Sequence, residues 1–184
     1  MSLSNLMPEK DKTIQSHRKH IYVEFARFFM AYMEAKEFLK NGHLLDSYNS
    51  VHQSLHHWAR LAVIEVGERP ELTVWEQLKA IDPSVYKLYE ELATSQEPLD
   101  KRIELLLLAL DFSVLSRMES CVQFLLDILR SRKEPWTVEE IIEQSDLADQ
   151  KINVHLLLEK MLKRSLIKEE SLEKEGLLEK LYTI

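Results

Sequence analysis

From Ile21 onward apolar residues recur at Ile21, Phe25, Phe28, Tyr32, Ala35 and Leu39, separated by four and three positions. That spacing places them on one face of a helix, and Asn41-Gly42 ends it with a residue suited to the left-handed cap. A second stripe follows at once through Leu44, Tyr48, Val51, Leu55, Ala59, Ala62 and Val66, closed by Gly67. Two long helices joined by so short a turn are expected to pack as an antiparallel hairpin. After a connector over 68–72, Thr73-Val74-Trp75-Glu76 has the form of a capping box, predicting a short helix to Ile81. Asp82-Pro83 restarts the chain with an N-cap and a first-turn proline, giving a helix from Ser84 to about Ala93. Glu97-Pro98 opens the longest periodic segment, Ile103, Leu107, Leu110, Val114, Met118, Cys121, Leu125 and Ile128. It fits one continuous helix to Arg132 or a break near Ser113–Ser116.

Past Pro135 the texture changes. Thr137-Val138-Glu139-Glu140 is a second capping box, leading a helix over 138–144. A polar turn over 145–151 precedes a helix carrying Val154, Leu157, Leu158, Met161 and Leu162, and 165–170 looks extended. With 122–130 as its first helix, this order is that of a winged helix-turn-helix.

Composition supports the helical picture. The chain has 184 residues, 45% of them hydrophobic, with three glycines and five prolines. So few turn formers argue against an all-β or an α/β fold. The expected fold is all-α: an antiparallel helical bundle with a small C-terminal winged-helix-like tail. The expected organisation is a leader over 1–14, disordered or added by cloning, a bundle domain over 15–130 and the tail over 131–184.

Charge narrows the partners. The net charge is −7, whereas nucleic-acid binding relies on clustered Lys and Arg that displace counterions from phosphates. Residues 121–184 hold 10 Lys and Arg against 13 Asp and Glu, a net of −3, so protein contact is favoured over DNA for the tail. The lone Cys121 allows no intrachain disulfide and no cysteine-built zinc site, as suits the reducing cytoplasm. The longest apolar run, Leu105–Leu110, is far shorter than the roughly 20 residues a membrane helix needs. No membrane contact is expected.

The densest chemical cluster lies on the second helix: Asn49, His52, Gln53, His56, His57 and Arg60. His52 and His56, four apart, share a face and mimic a zincin pair. Gln53, however, stands where the general base of that motif would be and has no carboxylate. No metal set is assigned, no cofactor is implied, and no catalytic residue is assigned. Phosphate-cradling glycines, a nucleophile elbow and paired magnesium-binding aspartates are all missing from the sequence. If a ligand groove exists, its candidate residues are Tyr48, Asn49, His52, His56 and Arg60, which combine aromatic, hydrogen-bonding and cationic groups on one helix.

The run from Tyr22 to Phe28, that from Gly42 to Gly67 with His56-His57-Trp58-Ala59-Arg60-Leu61-Ala62 at its centre, Thr73–Gln77 and Val85–Leu92 together resemble a bacterial nucleotidyltransferase-like family found in Bacillus relatives. The resemblance covers about residues 18–170. It implies a helical substrate-binding domain similar to HEPN bundles, followed by a helix-turn-helix tail and, in longer members, preceded by a nucleotidyltransferase domain. That domain's Gly-Ser and paired aspartates have no counterpart here. Nor does any Arg precede a His at the spacing of HEPN ribonucleases. What the resemblance implies is a non-catalytic substrate-binding and interaction module, lacking its N-terminal catalytic domain. Its expected partners are that domain or another protein, and a nucleotide or small-molecule substrate. The alternative is a DNA-binding transcriptional regulator acting through the tail. A homodimer is also expected, because a second apolar line on the first helix (Tyr22, Phe29, Met33) and the four leucines Leu105–Leu108 exceed what one small bundle needs.

Overall fold

A computed structural model describes residues 9–174 and 177–184. Its helices are α1 (Glu9–Lys40), α2 (Leu44–Glu65), α3 (Val74–Ile81), α4 (Pro83–Thr94), α5 (Leu99–Cys121), α6 (Gln123–Arg130), α7 (Val138–Ser145) and α8 (Val154–Lys163). A 3-10 turn at Ala148–Gln150 separates α7 from α8, and strands β1 (Lys168–Lys174) and β2 (Leu177–Thr183) follow. The fold class is the expected all-α bundle with one small sheet. The chain divides into two compact units, Glu24–Met118 on the one hand and residues up to Val23 together with Glu119–Ile184 on the other. The cuts thus fall at 23/24 and 118/119, whereas the sequence suggested boundaries at 14/15 and 130/131. Of the expected leader, residues 1–8 lie outside the described residues, and 9–14 are the first residues of α1.

In the 24–118 unit, α1 and α2 run antiparallel. Ser47 Oγ donates to the Ala35 carbonyl at 2.8 Å and Ser54 Oγ to the Phe28 carbonyl at 3.2 Å, so α2 advances as α1 recedes. Both serines are buried, and each hydroxyl uses a helix carbonyl's second lone pair, leaving nothing unsatisfied. Small side chains at these positions let the helices approach. Larger ones fill the remaining core: Phe25, Phe28, Phe29 and Tyr32 from α1 meet Val51, Leu55 and Ala59 from α2, all essentially inaccessible. Phe28 tilts against Trp58 with centroids 5.8 Å apart. Tyr32 donates to Asp111 of α5, and Lys36 joins both at 2.9 and 3.3 Å.

The helix ends follow from local chemistry. Gly42 (φ 77°) and Gly67 (φ 83°) take the left-handed conformation. His43 N–H then reaches the Phe38 carbonyl (2.8 Å) and Glu68 N–H the Val63 carbonyl (3.1 Å), closing α1 and α2 with Schellman motifs. Asp82 caps α4 by accepting from the Ser84 and Val85 amides. The Thr73 capping box does not form. Thr73 sits at φ −94°, ψ 44°, outside the extended region an N-cap requires, and its carbonyl, not its hydroxyl, accepts from Glu76 N–H at 3.0 Å. Gln77 organises this turn instead, accepting from Glu71 N–H (2.8 Å) and donating to the Arg69 carbonyl (3.1 Å). The long periodic segment breaks at Val122 rather than at Ser113–Ser116. The apolar stripe runs on through the break, so periodicity alone gave no sign of it.

In the other unit, Phe124 of α6 meets Tyr22 with centroids 5.8 Å apart, and Asp127 accepts from Arg18 and Gln15. The Thr137 capping box is complete: Glu140 N–H donates to Thr137 Oγ1 at 3.1 Å, and Thr137 N–H to Glu140 Oε2 at 3.0 Å. Strands β1 and β2 pair antiparallel from Lys168↔Thr183 to Lys174↔Leu177. Trp136 adds a bridge to Tyr182, with mutual backbone bonds of 2.8 Å, and Arg132 lies 3.8 Å from the Trp136 ring centroid.

Candidate ligand-binding face

Among the described residues, the core of the α1–α2 hairpin contains one carboxylate. Glu24, only 3% exposed, sits between buried Val23 and Phe25. A carboxylate is tolerated there only if paired, and α2 supplies the partners. His57 Nδ1 lies 2.7 Å from Glu24 Oε1, and Arg60 Nε donates to the same oxygen at 2.9 Å. Arg27, one turn along α1, lies 3.8 Å from Oε2. Burial pushes the carboxyl's pKa up, but the His57 hydrogen bond and the Arg60 charge outweigh it and hold the group below the usual carboxylate range. A carboxylate only accepts, so Nδ1 of His57 is the donor in this bond.

From His57 a chain of rings crosses three helices. His56 lies edge-on to His57 at 6.1 Å and to Trp75 of α3 at 6.4 Å. Trp75 stacks on Tyr89 of α4, with centroids 3.8 Å apart and planes 14° from parallel. Tyr89 in turn meets His52 at 5.6 Å. All five rings are half-buried. Burial lowers the pKa of His56, helped by the positive neighbours His57 and Arg60, so its ring is neutral at pH 7. The result is a partly open aromatic surface with Arg60 and Arg27 at one end. It suits a flat, hydrogen-bonding, anionic molecule: rings to pack on, imidazoles to bond with and guanidinium groups beside them.

His52, His56 and Arg60, chosen from their spacing on α2, all belong to this arrangement. Tyr48 and Asn49 lie a turn earlier, with Tyr48 half-buried and Asn49 exposed, and neither joins the ring series. His52 and His56 face different aromatic partners. Among the described residues no group of three His, Cys, Asp or Glu comes together as a metal set. Glu24, Tyr89 and the pairing role of His57 were not foreseen. A lone carboxylate inside an apolar stripe was the available signal for Glu24.

The sequence profile of the YgxA-like substrate-binding domain family matches residues 18–117. The chain belongs to this family. Every residue of the face, from Glu24 to Tyr89, falls inside the matched span. The uncharacterised protein YgxA of Bacillus subtilis (strain 168) is 37% identical over 156 residues, covering 85% of this chain and 53% of that protein. The crystal structure of a nucleotidyltransferase-like protein from Exiguobacterium sibiricum 255-15 is similar with a TM-score of 0.84 and 34% identity. It covers 96% of this chain, which covers 60% of it. The chain therefore spans little more than half the length of these family relatives. Among the described residues no helix is long and apolar enough to cross a membrane.

Proposed function

We propose that the chain is a substrate-binding module of a nucleotidyltransferase-like protein, binding its ligand without transforming it. The ligand sits on the His52–Tyr89–Trp75–His56–His57 face, beside Arg60. The buried Glu24 carrying His57 and Arg60 supports this most strongly. A buried charge is costly to keep and adds little stability over an apolar residue, yet here it fixes the direction of one half-exposed imidazole and of one guanidinium. The family's description as a substrate-binding domain and the likeness to a nucleotidyltransferase-like protein agree with it. A nucleoside triphosphate has the required chemistry: a flat base, hydrogen-bonding edges and an anionic chain. Calorimetric titration with ATP is expected to show binding that weakens about tenfold in Arg60→Gln, the loss of one charge-assisted contact. Absence of heat, or equal affinity in the variant, would refute it. With magnesium present, no nucleotide transfer to an acceptor should occur, and transfer above a protein-free control would contradict a binding role.

The C-terminal unit supports a second role. Its order of α6, the Trp136 bridge, α7, α8 and a β-hairpin agrees with a winged-helix reading. Acidic balance favours a protein partner over DNA, the regulator alternative. A salt-dependent mobility shift of duplex DNA would reverse that preference.

A further inference from the structure

The second apolar line on α1 does not face outward: Tyr22 and Phe29 are buried, and Met33 is half-buried. The surplus on α5 is different. Leu105 is 65% exposed, Leu108 68%, Phe112 73% and Leu115 45%. These are four large apolar side chains in succession on one face of one helix, whereas other strongly exposed ones, such as Val66, Leu72 and Leu178, stand singly along the chain. Contiguous exposed apolar surface of this kind marks an interaction site. Beside it a groove of about 530 Å³ opens, lined on its other side by Trp58, Ser84 and Leu88.

We propose that this face binds a second copy of the chain, α5 crossing its symmetry mate antiparallel about a two-fold axis at Leu110. The spacing is self-complementary. Steps of three, four and three residues read the same in both directions, so reversal about position 110 places Leu108 opposite Phe112 and Leu105 opposite Leu115. Such mutual pairing is what an isologous interface requires, and it lets the protruding Phe112 ring lie over the partner's groove. Three of the surrounding charges are paired within each chain: Lys101 with Glu104 (2.8 Å), Lys36 with Asp111 (3.3 Å) and Arg117 with Glu65. Glu119, exposed on the same face, falls opposite Lys101 of the other copy under the same reversal, so that pair meets with opposite charges. A stripe of eleven residues is only about 15 Å long, so the contact falls at the small end of specific interfaces and the dimer forms at micromolar rather than nanomolar concentration. The proposal is independent of the ligand face on α2–α4.

The test is light scattering over a concentration series from about 1 to 200 µM. The apparent mass should rise from 21.7 kDa towards twice that value. Leu108→Glu and Phe112→Lys, each checked for an unchanged circular dichroism spectrum, should each hold the chain monomeric, because both positions are exposed and tolerate charge without unfolding. Mixing the two single variants sets the carboxylate of Leu108→Glu opposite the ammonium of Phe112→Lys across the axis, with no introduced partner inside either chain, and a heterodimer should form at low salt. A single-chain mass at every concentration would overturn the proposal and leave the surface to a different partner. So would a dimer unaffected by either single substitution, or a mixture of the two variants that stays monomeric.

Discussion

His57 Nδ1 lies 2.7 Å from Glu24 Oε1, joining the two helices of the hairpin through the carboxylate buried in its core. The contact links stability to the ligand face, since the same carboxylate also holds Arg60.

Glu24→Gln tests that linkage. The amide keeps the shape but gives up the carboxylate's charge-assisted hydrogen bonds to His57 and Arg60, at an expected cost of about 2 kcal/mol. Because the carboxyl's pKa is lowered in the folded state, the stability it contributes is present above its unfolded value, near 4.5, and is lost as pH falls through the folded one. Denaturant titrations at pH 7 and pH 3 should therefore show a smaller gap between variant and parent at the lower pH. An equal gap at both would mean that the carboxylate is not held by its partners.

Leu55 is fully buried on α2. Leu55→Ala should cost about 2–5 kcal/mol through lost burial and the cavity left behind. A change below about half a kilocalorie would place this stripe outside the core.

The two capping-box sequences behave differently, and stability should follow the structure rather than the motif. Thr137→Ala removes a formed side-chain cap and should cost about 1 kcal/mol. Thr73→Ala removes a hydroxyl that caps nothing and should change stability by less than about 0.5 kcal/mol. Equal losses would mean that Thr73 does cap α3.

The contrast shows which features were legible in the sequence. Helix ends set by one residue's own backbone preference, such as Gly42, Gly67 and Asp82-Pro83, stand within a residue or two of their expected places. The Thr73 motif failed because Gln77 organised the turn instead, and that competition depends on how the connector folds. The break at Val122 was hidden by a stripe that continues across it. Strand β2 was not foreseen, because the hairpin is mostly exposed and leaves little alternating apolar signal. At the site, His52, His56 and Arg60 were legible as an i, i+4, i+8 row on one helix. Glu24 and Tyr89 were not, because they meet that row only through tertiary packing, Glu24 reaching Arg60 from 36 positions away.

The three tryptophans give the most direct test of the ligand face. Trp75 lies half-buried within it, whereas Trp58 and Trp136 are buried with indole N–H groups that find no acceptor among the described residues. In a nitrogen-15 correlation spectrum each indole gives one resolvable signal. Titration with ATP should shift the Trp75 indole and the Arg60 Nε–H signals in a saturable way while the Trp136 indole stays in place. Saturable shifts at Trp136 that leave Trp75 unmoved, or no saturable shift at any of these groups, would contradict a ligand site on this face.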